Sequence, residues 1–75
     1  MKILTEIPVQ IKVRIVDIFG GRNARQTLAQ MGIGVGSQVI VRRNAPFSGP
    51  ILVENHGTTV AIGRGLASKI MVEEI

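Results

Sequence analysis

Residues 11–21 read Ile11-Lys12-Val13-Arg14-Ile15-Val16-Asp17-Ile18-Phe19-Gly20-Gly21. Ile11, Val13 and Ile15 alternate with Lys12 and Arg14, which is the two-residue period of a strand with one buried and one wet face. Val16 and Ile18 then fall on the other parity around Asp17. The strand therefore either bulges near Ile15 or is covered on both faces beyond it. The glycine pair ends it. Composition points the same way, because eleven Ile and nine Val outweigh four Leu and five Ala, and branching at Cβ favours strands over helices.

After the glycines the period changes. Asn23 and Gln26 are placed as a capping-box variant, so a helix is expected to start at Asn23. Ala24, Leu28 and Met31 form its apolar stripe, leaving Arg25, Gln26 and Ala29 toward solvent. Gly32 ends it, and Gly34 and Gly36 make the return to the sheet a tight turn. Val39-Ile40-Val41 opens a second strand that runs into Arg42-Arg43-Asn44, two arginines expected on opposite faces. The loop Ala45-Pro46-Phe47-Ser48-Gly49-Pro50 cannot hold a ladder.

Residues 51–54, 58–62 and 69–73 read as three more short strands. Asn55-His56-Gly57 is expected as a three-residue hairpin loop, and Arg64–Ser68 as a single helical or 3₁₀ turn. The sum is a mainly β fold: a small SH3-like five-stranded barrel with one inserted short helix and a C-terminal helical turn. An OB-fold is the main competitor, but it normally has longer strands and a later helix.

The chain is 75 residues long, enough for one domain over residues 1–75 and no second. It has no apolar run of about 18 residues that would cross a membrane. Glu6 interrupts the N-terminus before any stretch of signal-peptide length, so no export signal is expected. Zero cysteines exclude disulfides, thiolate metal sites and cysteine nucleophiles and fit a reducing cytosol.

Catalytic side chains are scarce. His56 is the single histidine, and beside Gly57 it reads as a solvated turn residue rather than a general base. Glu54 lies two residues away, and together they make half of a metal site at most. The 2-His-1-carboxylate set that suits non-haem iron is absent from one chain, and the ligand count supports no resident Fe(II) or Zn(II). Gly20-Gly21-Arg22-Asn23 lies between strand and helix but lacks the lysine and hydroxyl of a phosphate loop, and reads as a structural turn.

The net charge of +4 points to acidic partners, nucleic acid included. Only Phe19 and Phe47 are aromatic, so base stacking is poorly served and nucleic acid is not the expected partner. A small basic nucleic-acid-binding barrel stands as the alternative to a protein-binding module.

Taken in order, Lys12 to Ile18, Gly20-Gly21, Arg25-Gln26-Thr27-Leu28-Ala29-Gln30-Met31-Gly32, Gly36-Ser37-Gln38-Val39, Arg42-Arg43-Asn44-Ala45-Pro46, Gly49-Pro50 and Gly57 leading to Ala61-Ile62 resemble the ferrous iron transport protein A (FeoA) family. The helix carries the family's Arg-x-x-Leu-x-x-Met-Gly look, and the similarity covers nearly the whole chain. The resemblance implies a non-enzymatic, cytoplasmic, SH3-like accessory protein. Its partner would be the FeoB-type Fe(II) permease with its G-protein domain, reaching the inner membrane only through that partner.

Expected partner-binding residues are Arg25, Gln26 and Ala29 on the helix and Arg42, Arg43, Phe47 and Ser48 around the proline loop. Leu28 and Met31 are assigned to the core. A related alternative is a metal-responsive regulatory domain like the C-terminal domain of iron- or manganese-dependent repressors. Seventy-five residues leave no room for the DNA-reading helices of such a repressor, which favours a free-standing protein. Self-association through short strand edges stays open.

Overall fold

In the computed structural model, which describes residues 1–45 and 49–75, the strand quoted first runs Lys12–Ile18 as β2. It follows β1, Lys2–Ile3, and a 3₁₀ turn at Leu4–Glu6. Next come α1, Gly21–Gln30, and β3, Gln38–Arg43. The chain continues through β4, Ile51–Asn55, β5, Thr58–Ile62, α2, Arg64–Ala67, and β6, Ile70–Glu74. The strands form one antiparallel sheet in the order β1-β6-β2-β3-β4-β5. Among the described residues there are thus six strands where five are expected, and no ladder joins β5 to β1. β1 escapes sequence reading because two residues carry no period.

The parity change in β2 is a bulge. Ile15 pairs with Val72, Asp17 with Met71 and Ile18 with Ile70, so the unpaired Val16 returns Ile18 to the face that buries Val13 and Ile15. A second irregularity lies in β3, where Val41 faces Val53 but Arg43 faces Leu52. The extra residue puts Arg42 and Arg43 both on the outer face, correcting the expected opposition. Bulges sharpen twist, and the curled sheet encloses a core of Val13, Ile15, Val39, Val41, Ile51, Val53, Ile70 and Val72. Leu4 and Ala67, from the 3₁₀ turn and α2, join that core.

α1 begins at Gly21, not at Asn23. Gly20 and Gly21 take φ of +92° and +71°, a left-handed reversal that glycine adopts without a Cβ penalty. No side chain caps this end, and the Asn23 carbonyl instead accepts from Thr27 Oγ1 at 2.9 Å. The C-terminus is a Schellman motif: Ile33 N–H donates to Leu28 O and Gly32 N–H to Ala29 O, each at 2.9 Å. Gly32 supplies the left-handed residue, φ +78°, and Leu28 and Ile33 are both buried. The β4–β5 hairpin turns on two residues rather than three, His56 and Gly57, with Asn55 facing Thr58. Their φ values of +52° and +80° are those of a primed turn matched to sheet twist.

Leu28 is fully buried where α1 meets the sheet. Leu28→Ala is expected to cost about 2–5 kcal/mol by transfer and cavity terms, measured as a shifted urea midpoint with an unchanged slope.

Candidate functional site

The connection from β2 to α1 positions one side of a surface groove. Phe19 N–H donates to Lys69 O at 2.7 Å, joining the end of β2 to the residue before β6. A Cβ on Gly20 would stand 2.7 Å from Lys69 Cδ and 3.1 Å from Ala24 Cβ. Lys69, just after α2, therefore approaches the start of α1 across glycine, and a groove of about 520 Å³ lies between α1 and residues 65–69. Gly20, Asn23, Ala24 and Thr27 line its α1 side, and Gly65, Leu66 and Lys69 its α2 side. Ala24 is buried and Leu66 half-buried, giving an apolar floor beside one cation. No carboxylate is among the lining residues.

The expected docking residues are distributed otherwise. Gln26 and Ala29 are exposed but lie outside the groove, whose α1 wall is the neighbouring Asn23–Thr27 face. Arg25 turns back on its own chain: its Nη2 donates to Ile18 O at 3.2 Å and lies 3.7 Å from Asp17 Oδ1, bracing α1 to β2. Arg42 grips Glu54 through Nη2 at 2.9 Å and Nε at 3.1 Å, and also donates to Gln10 Oε1. Arg43 is exposed and lines a smaller cleft of about 200 Å³ with Gly49, Pro50 and Leu52. Phe47 and Ser48 lie outside the described residues.

Glu54 and His56 do share a surface, a cleft of about 240 Å³ with Lys12, Gln38, Ile40 and Gly57. The Glu54 carboxylate is already held by Arg42, and among the described residues no group of three His, Cys, Asp or Glu side chains is placed to hold a metal ion. Among the described residues no helix is long and apolar enough to cross a membrane.

The charge surplus has a location. Lys2 pairs with Glu74, Arg14 with Glu73, Arg25 with Asp17 and Arg42 with Glu54, while Glu6 accepts from Ile3 N–H at 3.0 Å. All five side-chain carboxylates are thus engaged. Lys12, Arg22, Arg43, Arg64 and Lys69 face no carboxylate among the described residues. Arg64 is tied down by carbonyls, donating to Asn44 Oδ1 at 3.0 Å and to Ala45 O. Lys69 and Leu66 gave no sequence signal, because a four-residue helix shows no period and lysine at a strand's start reads as solvated.

A curled six-stranded sheet with one helix after β2 and a turn of helix before β6 is a small SH3-like β domain, and solved structures share it. A crystal structure of an iron uptake regulatory protein, FeoA, superposes with a TM-score of 0.92 at 39% identity, covering 99% of this chain and 97% of that one. A manganese-dependent transcriptional repressor superposes at 0.89 with 23% identity, over 99% of this chain but 41% of its own, a likeness of fold alone. In sequence, the putative Fe(2+) transport protein A of Methanocaldococcus jannaschii is 46% identical over 63 residues, 84% of this chain and 74% of that protein. The sequence model of the FeoA domain matches residues 2–74. The chain belongs to the FeoA domain family.

Arg25 acts as a brace in this geometry. Arg25→Ala is expected to lose about 1 kcal/mol, the usual worth of one hydrogen bond, since its ion pair is exposed. Faster amide exchange in the first turns of α1 would locate that loss.

Proposed function

We propose that this chain is a non-enzymatic docking module of ferrous iron uptake that binds an FeoB-type permease through its cytoplasmic G-protein region. The FeoA domain match over residues 2–74 supports the transport system. The groove supports the mode of action: an apolar floor at Ala24 and Leu66, a cation at Lys69 and no carboxylate in its lining. Such a surface suits an acidic segment with an apolar anchor, since complementary charge steers the encounter and buried apolar area holds the complex. Gln26 and Ala29 on the adjoining side of α1 and Arg43 near the proline loop are outlying contacts, whereas the guanidinium groups of Arg25 and Arg42 are engaged within the chain. The reactive inventory supports binding over catalysis, with one histidine and no cysteine. The module works in the cytoplasm and meets the membrane through its partner.

Gly65 offers a direct test, because a Cβ there meets nothing within 4 Å and its φ is not left-handed. Gly65→Leu fills the groove from within, and Lys69→Glu reverses its charge. Each is expected to weaken binding to the purified permease, read by calorimetry, by at least about tenfold, with the melting temperature retained. Binding by both variants at wild-type affinity would remove the groove from the interface. No binding by the wild-type chain, with no loss of iron uptake on its deletion, would remove the docking role itself.

A further inference from the structure

We infer that β5 is a self-pairing edge, and that two copies of the chain join through antiparallel Thr58–Ile62 strands about a two-fold axis at Val60. The backbone sets up this contact. Asn55 and Thr58 close the His56–Gly57 turn, which makes them a hydrogen-bonded pair, and alternation along the ladder then makes Val53–Val60 and Ile51–Ile62 bonded as well. The N–H and C=O groups of Thr59 and Ala61 consequently point away from β4. β5 is a terminal strand of the sheet, and both residues are exposed.

Sheet edges are usually protected by charge, proline, a bulge or short length. The opposite edge, β1, is two residues long and carries Lys2, paired to Glu74. β5 has five residues, no charge, no proline, no glycine and an unbroken register with β4. A copy of itself is the occupant that fits. With Val60 on the axis, Thr59 faces the partner's Ala61 and Ala61 the partner's Thr59, so the four outward donors and acceptors of each strand are satisfied. Val60, half-buried in one copy, meets the partner's Val60. Each chain carries +4, yet none of that charge is on this strand, so like charges do not oppose each other in the ladder. An acidic segment of another protein would find no counter-charge here, unlike at the helix groove.

Sedimentation velocity over a hundredfold concentration range, at low and high salt, tests this. The weight-average mass is expected to climb from one chain toward two. Salt should strengthen the association, because it screens the repulsion between two cationic chains. Amide exchange should slow with concentration at Thr59 and Ala61. The double variant Thr59→Lys with Ala61→Lys sets lysines opposite one another and should remain monomeric, with its circular dichroism and melting temperature showing that both exposed sites tolerate the change. A single-chain mass at every concentration would overturn the proposal. So would a dimer that survives the double variant, a dimer that salt dissolves, or slowing at Thr59 and Ala61 only when permease is added.

Discussion

One apolar face holds the molecule together, and every other feature is arranged around keeping it continuous. Ile18 of β2 joins Val13 and Ile15 on that face only because Val16 is bulged out of the β2–β6 ladder. Were the same residues to run as an unbulged strand, Ile18 would point to water and Asp17 to the core, since a one-residue slip exchanges the two faces of a strand. The bulge also adds twist, and twist lets a six-stranded sheet curl round a core built largely from valine and isoleucine. A chain of this length without disulfides depends on filling such a core densely.

Polar side chains close what the ladder leaves open. Asn44 Nδ2 donates to the carbonyls of Thr5 and Ile7, each at 3.0 Å, holding the N-terminal segment against the end of β3. Arg64 reaches from α2 to the same asparagine. Asn55, buried at the end of β4, donates to Gly32 O at 2.9 Å and so ties the C-terminus of α1 to the sheet. These bonds satisfy carbonyls that no strand pairs, and they fix both helices from below. The helices' facing sides stay free, which is why the groove stands open between them.

Charge follows the same division. Every side-chain carboxylate is engaged within the chain, so the surplus of cations has no carboxylate partner among the described residues. Exposed ion pairs of this kind add little to stability, but by neutralising Lys2, Arg14, Arg25 and Arg42 they leave the remaining field at Lys12, Arg22, Arg43, Arg64 and Lys69. The sequence count gave the size of that surplus, and only the pairing shows where it lies. Arg25 illustrates the difference. On the helix surface it reads as a docking residue, whereas its guanidinium is turned back onto the end of β2.

Local pattern was enough for the strand at Lys12–Ile18 and its change of parity, the apolar stripe of Ala24 and Leu28, the glycine stop at Gly32 and the SH3-like class, because each is written within a few neighbouring residues. The order and spacing of those segments also carried the FeoA resemblance. Tertiary structure alone decided the rest. β1 exists because β6 is there to pair with it, and α1 starts early because Gly20 and Gly21 reverse the chain against Lys69. Arg42 and Arg43 share a face because β4 imposes a bulge. The groove joins residues 38 to 49 positions apart, and no periodicity records a contact between segments that meet only after the sheet has curled.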